Sequence, residues 1–312
     1  MREDIQHGSF VSIKKEGLAE VAAGADVLDV NMGVPGIDQR EAMETAISQL
    51  SMLCPVPLSI DSTDPEVLER ALKVYPGRPL INSVNGADDD ILEKVLRLAK
   101  TYGAAVLCLP LEKGNLPKTA EERIRIARDI IEKALAAGLR KEDLLLDPLV
   151  LTIGSSDRGA RETLKTIALY KKEFGLPCVM GTSNVSFGLP ARPRINAAFL
   201  TMAFACGMNA PIINPLDQDI KDAFVNAKLL LGFDPGAQNF IKEAASAAAP
   251  APKEAAKDLP PLEAIKAAVK NGEKEESAAL MKKALDSGIS SETIIKEGLT
   301  AAMTEIGDGY AL

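Results

Sequence analysis

The sequence predicts an α/β protein: a TIM-type (β/α)8 barrel with one unit missing, followed by a small C-terminal α-helical segment. Three observations carry this prediction. From residue 9 to about 232, roughly seven short apolar runs alternate with stretches patterned as helices, the signature of parallel βα units. The runs recur about every 25–40 residues, which suits a barrel better than a linear repeat. Around 241–258 the composition shifts to Ala, Pro, Lys and Glu, too poor in bulky apolar groups to build a core. A doubly wound open sheet is the alternative, weakened because no Gly-x-Gly-x-x-Gly follows an early strand.

The elements follow in order. A helix over about 11–23 precedes a strand in Ala25-Asp-Val-Leu-Asp-Val-Asn31, and a second helix spans about 38–52. Pro57-Leu-Ser-Ile-Asp61 is the next strand. Asp64-Pro65 then starts a helix, with a capping side chain followed by proline at the first helical position. Strands are expected at Pro79–Asn82, Ala105–Leu109 and Asp143–Asp147, and a capping box, Thr119-Ala-Glu-Glu122, opens the helix between the last two. Pro177-Cys-Val-Met180 reads as a short buried strand, and Ile195 to Gly207 carries apolar residues at helical spacing. Ala210-Pro-Ile-Ile-Asn214 is the last strand. The barrel thus takes residues 1–240, an Ala/Pro-rich linker 241–259, and the helical segment 260–312. In that segment Leu262, Ile265 and Val269 mark one helix, and Leu280, Met281, Ala284 and Leu285 a second. Ile295, Leu299, Met303 and Ile306 mark a third, capped by Ser290 or Ser291 and broken at Gly307-Asp-Gly309.

Composition narrows the function. The 312 residues are 46% hydrophobic and 26% charged, enough for a sizeable core. A net charge of -8 argues against a nucleic-acid face, and no apolar run approaches membrane-spanning length. Four scattered cysteines, without paired spacing, read as reduced core residues of a cytoplasmic protein. His7 is the one histidine, so a Ser-His-Asp triad or a histidine-rich metal site is nearly excluded, and no metal is expected. Proton chemistry must rest on carboxylates, amides or solvent.

In a barrel the carboxyl ends of the strands face the active site. Those ends carry Asp29, Asn31, Asp61, Asn82, Asp147, Asn184 and Asn214. Asp29 and Asn214 read as helix caps or turn formers. The others describe a pocket suited to a flat heterocycle with ring N–H, amino and carbonyl groups, where a carboxylate accepts two parallel hydrogen bonds. The centre of the chemistry is placed in Gly181-Thr-Ser-Asn-Val-Ser-Phe-Gly188, where a strand ends in small hydrogen-bonding residues around Asn184. A plain connecting turn is the alternative for that loop.

Several strand ends match a known family in order. Asp26–Asn31 with Gly36-Ile-Asp38, Ser59-Ile-Asp-Ser62, Leu80-Ile-Asn-Ser83, Leu146-Asp-Pro148, Gly181–Pro190 and Ile213-Asn-Pro-Leu216 resemble the pterin-binding methyltransferases. These are the methyltetrahydrofolate:corrinoid methyltransferases and the folate domain of cobalamin-dependent methionine synthase. The resemblance covers about residues 9–232, and the segment after the linker is similar to the start of the helical cap of a corrinoid-binding module. It implies that Asp61, Asn82 and Asp147 hydrogen-bond the pterin ring and that Asn184 is catalytic, beside the methyl-bearing nitrogen. Asn31, Gly181 and Ser183 would line the same site, with Arg192 near the folate side. It further implies 5-methyltetrahydrofolate as substrate and a cobalamin-type corrinoid as methyl acceptor, held mainly by a corrinoid-binding domain or protein outside this chain. A homodimer is the implied assembly. The family's first strand and the cobalt-ligating histidine motif are not in this sequence, so the chain reads as a fragment of a longer methyltransferase. Dihydropteroate synthase, which shares the barrel and pocket, fits less well, because Ser183-Asn-Val-Ser186 and Met32-Gly-Val-Pro35 replace its characteristic runs. A non-catalytic module binding folate or a corrinoid protein is the other alternative.

Overall fold

The computed structural model of the chain describes residues 2–247, 259–270 and 273–310. Its contacts divide the chain into two compact units, Met1–Phe240 and Ile241–Leu312.

The first unit opens with helices α1 (Arg2–Gln6) and α2 (Val11–Ala22). Strand and helix then alternate: β1 (Leu28–Asn31), α3 (Gln39–Leu53), β2 (Leu58–Asp61), α4 (Pro65–Val74), β3 (Leu80–Gly86) and α5 (Asp89–Tyr102). The pattern continues with β4 (Ala105–Glu112), α6 (Ala120–Ala136), β5 (Leu144–Leu146), α7 (Gly159–Glu173) and β6 (Val179–Gly181). Helix α8 (Arg192–Ala205), β7 (Ala210–Ile212) and α9 (Gln218–Leu230) complete it, and α10 (Gln238–Ala247) starts in this unit and runs into the second. All seven expected strands are present. Strands β3 and β4 run on past their expected ends, to Gly86 and Glu112, because their pairing continues through irregular register.

Every strand pair is parallel. β1 to β5 lie in sequence order in one sheet, β6 pairs with β7, and a single parallel bridge from Leu146 to Cys178 joins the two sets. Among the described residues β1 and β7 each pair on one side only. This is the parallel (β/α) barrel architecture that the sequence predicts. Its core is built from strand residues such as Leu58, Ile60, Ile81, Val106 and Leu146, covered by the apolar stripes of the helices. In α5 that stripe is Leu92, Val95, Leu96 and Ala99, an i, i+3, i+4, i+7 pattern. The caps are those read from sequence. Asp64 accepts from Glu66 N at 2.8 Å, and Thr119 and Glu122 form the reciprocal capping box. No helix among the described residues is long and apolar enough to cross a membrane.

The second unit, taken by itself, packs α11 (Pro261–Lys270) and α12 (Lys274–Asp286) against a long helical run. That run comprises α13 (Ser291–Thr293), a π-helical stretch at Ile294–Thr300 and α14 (Ala301–Tyr310). Ile265, Ala284 and Ile294 form its core, with Leu262, Val269, Leu280, Met281 and Leu299 against them. Three sequence expectations are corrected. The linker expected at 241–259 begins as helix, since α10 extends to Ala247, and its remainder at 248–258 lies outside the described residues. The last helix is not broken at Gly307-Asp-Gly309 but continues to Tyr310. Its buried face is also displaced: Ile294, Gly298 and Ala302 face inward, while Ile295 and Met303 are exposed. Through the π-helical stretch the buried residues recur every fourth position, at 294, 298 and 302. Gly298 lets that turn come close, because a Cβ there would stand 3.1 Å from Ile265 Cγ2.

Candidate functional site

Parallel register sets the site. Asn31 lies opposite Asp61, and Asp61 opposite Asn82, so the ends of β1 and β2 stand level with the third residue of β3. Laterally paired residues of a parallel sheet point to one face, and so does Asp29, two residues before Asn31. The side chains are hydrogen-bonded accordingly. Asn31 Nδ2 donates to Asp61 Oδ2 at 2.8 Å, and Asn82 Nδ2 donates to Asp29 Oδ1 at 3.0 Å. Asn31 Oδ1 accepts from Gly33 N at 2.7 Å, which fixes the orientation of that amide. Glycine at 33 leaves room for this bond, because a Cβ would stand 2.9 Å from Asn31 Oδ1 and the amide would have to shift. Burial pushes the Asp61 carboxyl above its ordinary range, the Asn31 hydrogen bond opposes this, and the nearby Asp29 charge adds to the rise.

Asp147 stands just beyond β5 and makes no side-chain hydrogen bond to that four-residue set. Its N–H donates to Cys108 O on β4 at 2.9 Å, and its Oδ1 accepts from Leu149 N at 2.7 Å. Burial drives its carboxyl up to about 7, against the pull of the Leu149 N–H and the Arg123 charge. An acid poised there is half ionised near neutral pH, and a ligand offering N–H donors favours the carboxylate.

The loop after β6 is a 3₁₀ turn, Thr182–Ser186. Val185 and Ser186 are buried and anchor it, while Ser183 and Asn184 are exposed. The Asn184 side chain lies back over Gly181, where a Cβ would stand 3.1 Å from Asn184 Nδ2. Arg192 braces this turn. Its Nε donates to Ser186 Oγ at 3.1 Å, its Nη2 to Ser183 O at 3.0 Å, and its guanidinium lies 5.7 Å from the Phe187 ring centroid. The loops after β5 and β6 are tied together. Ile153 N donates to Val185 O at 2.9 Å and Thr152 Oγ1 to Phe187 O at 2.8 Å.

The structure therefore bonds Asn31 to Asp61 and Asn82 to Asp29 at neighbouring positions of the sheet, sets Asp147 just beyond β5, and places Gly181 at the end of β6 with Ser183 and Asn184 on the loop that follows. Asn214 is the turn former expected of it, accepting from Leu216 N at 2.9 Å. Asp29 is the correction. It is no cap but the partner of Asn82, and two-residue alternation with Asn31 was the signal for it. Arg123 was also missed. It occupies the apolar stripe of α6 with Ala120, Ala127 and Ile130 and is fully buried. His7 lies in the turn after α1, and among the described residues no cluster of three His, Cys, Asp or Glu suits a metal ion. The site is thus a set of carboxylate acceptors and amide donors around a barrel mouth, suited to holding a neutral, donor-rich ring.

Comparisons with known proteins agree on the kind of barrel. The family model described as pterin binding enzyme matches residues 3–214, and one described as B12 binding domain matches residues 261–311. A protein of Eubacterium limosum named methylcorrinoid:tetrahydrofolate methyltransferase is 25% identical over 237 residues, covering 75% of this chain and 87% of that protein. Methionine synthase of Mycobacterium tuberculosis is 32% identical over 203 residues, 61% of this chain, which spans 17% of the synthase. Among solved structures, the dihydropteroate synthase of Thermus thermophilus superposes with a TM-score of 0.58 at 22% identity, over 70% of this chain and 89% of that one. The Yersinia pestis enzyme gives 0.57 at 18% identity, over 70% and 88%. At such identities the structural likeness shows the fold alone.

Proposed function

The chain belongs to the family of pterin-binding enzymes, and from that premise we propose that it transfers a methyl group between a tetrahydrofolate and the cobalt of a corrinoid. The observation that carries this reading is the set of polar side chains at the strand ends: the hydrogen-bonded pairs Asn31–Asp61 and Asn82–Asp29, with the half-buried Asp147 just beyond β5. Under this reading Asp147 accepts paired N–H bonds from the amidine-like edge of the pterin, while Asp61 and Asn82 bond the rest of the ring. Charge-assisted bonds of this kind contribute about 1.5–3 kcal/mol each. The match of residues 261–311 to a B12 binding domain supports a corrinoid as the other reactant.

The chemistry needs little from the protein beyond position and a proton. A methyl group on a tertiary amine is a poor electrophile, because the departing nitrogen anion is unstable. Protonating that nitrogen as the bond breaks makes it a competent leaving group, and such assistance is worth about 10²–10⁴ in rate. Asn184 has no proton to lose near neutral pH, so its carbonyl accepts from the protonated nitrogen and solvent supplies the proton. Arg192 holds the loop that presents it. The corrinoid supplies a cobalt(I) nucleophile when 5-methyltetrahydrofolate is the donor. The name of the Eubacterium relative describes the reverse direction. One transition state serves both, so these residues take the same roles either way.

Residues 1–240 are the folate barrel in this account and 260–312 part of the helical cap of a corrinoid-binding module, with the end of α10 opening the stretch between them. The sole histidine lies at position 7, so no residue of 260–312 is assigned as an imidazole ligand to cobalt. The acceptor is then carried by a corrinoid-binding domain or protein, and a homodimer is the expected assembly. The test is methyl exchange between 5-methyltetrahydrofolate and reduced cobalamin, followed by the corrinoid's absorbance. Transfer by the chain that is lost in Asn184→Ala supports the reading. A folded chain that binds the folate but transfers no methyl in either direction counts against it.

A further inference from the structure

Arg123 has no part in the chemistry above, yet it is fully buried, and among the described residues no carboxylate lies within 4.0 Å of its guanidinium. Its Nη2 has no hydrogen-bond partner. Burying a cation so weakly compensated is costly, and an apolar residue would complete the stripe of α6 more stably. Its Nε reaches Pro117 O at a long 3.5 Å, and its two shorter bonds explain its presence. Nη1 donates to Pro148 O at 3.0 Å and to Thr163 Oγ1 at 3.1 Å. The Thr163 hydroxyl shares its proton between Leu149 O at 2.8 Å and Gly159 O at 3.0 Å, the shorter contact being to Leu149, and Tyr170 OH donates to Asp147 O at 3.1 Å. Thr163 and Tyr170 are seven residues apart on one face of α7, and both are buried.

Three successive carbonyls, of Asp147, Pro148 and Leu149, therefore each receive a bond from a buried side chain of α6 or α7. The segment they hold is strained. Leu149 has φ +60°, a left-handed conformation that a side chain disfavours, and in that conformation its N–H closes on Asp147 Oδ1 at 2.7 Å. The Arg123 charge also acts on Asp147, favouring its carboxylate form.

We infer that Arg123, together with Thr163 and Tyr170, is a positioning residue for the barrel-mouth site, holding the Asp147–Leu149 backbone so that the Asp147 carboxylate is fixed for its ligand. The inference rests on the pterin reading of Asp147. It assigns the buried arginine to binding rather than to stability. The test is a double-mutant cycle on the full chain, with 5-methyltetrahydrofolate as probe and ligand-detected NMR to follow the weak binders. Arg123→Gln should lower affinity about tenfold when Asp147 is present and less than about twofold in the Asp147→Asn background. Arg123→Lys, which keeps the charge but not the fork, should recover part of that loss. Where Arg123→Gln does not fold, Thr163→Val carries the same cycle, with about threefold expected in place of tenfold. Equal losses in both backgrounds would overturn the inference and leave the pterin reading intact. Undiminished binding by Asp147→Asn alone would remove both.

Discussion

Asp147 makes a thermodynamic prediction that needs no ligand. In the folded chain its carboxyl is driven from 3.8 to about 7, chiefly by burial. A raised carboxyl favours the fold below the unfolded value, and that advantage drains away as pH rises through the folded value. Between pH 4 and 7 the folded chain keeps a proton that the unfolded chain releases, so stability falls with pH across that window. Three units at about 1.4 kcal/mol each give about 4 kcal/mol in all. Asp147→Asn removes the titration. The variant should therefore gain on the parent by about 1.4 kcal/mol per pH unit from pH 4 to 7, then hold a constant lead. Urea denaturation followed by tyrosine fluorescence at pH 4.5, 6 and 8 measures this, since Tyr75, Tyr102 and Tyr170 all lie in the first unit. A pH-independent difference between the two proteins over this range would refute the argument, by showing that Asp147 titrates as an ordinary carboxylate. The same burial that costs stability is what gives a bound N–H donor its value there.

Other expectations follow from the site. Asn184→Ala should reduce the rate constant for methyl transfer by about 10²-fold while changing folate affinity less than about threefold; equal losses in both would deny it a role in the transition state. Gly33→Ala should push Asn31 away from Asp61 and weaken folate binding about tenfold, with unfolding in urea little changed, because the added Cβ meets a side-chain oxygen 2.9 Å away rather than packed core. Ile265→Ala should cost the second unit about 2–5 kcal/mol through a cavity at its centre and leave folate affinity unaltered, which separate melting of the two units would register.

Much of this molecule was legible in its residues. Apolar runs bounded by Gly and Pro placed seven strands, because a parallel strand buried on both faces has little freedom in composition. The caps at Asp64 and Thr119 were read correctly because capping is a local interaction between residues two or three apart. What stayed hidden depended on longer range. The Asn82–Asp29 bond joins β3 to β1 across a strand that lies between them, and only the register reveals it. Arg123 reads as a surface charge until α6 is docked, since its partners Pro148 and Thr163 are 25 and 40 residues away. The face of the last helix was missed because Ile295 and Met303 are as apolar as the residues that face inward, and the close approach of Gly298 to Ile265 belongs to the packed state. Arg192 was expected at the folate side of the site. The structure gives its guanidinium to the loop that carries Ser183 and Asn184.

The most direct test of the account is calorimetric titration of the full chain with 5-methyltetrahydrofolate, beside Asp147→Asn. The account predicts binding in roughly the 1–100 µM range that weakens more than about tenfold in the variant. Unchanged affinity in a folded Asp147→Asn protein, or no binding by the folded parent chain, would contradict it.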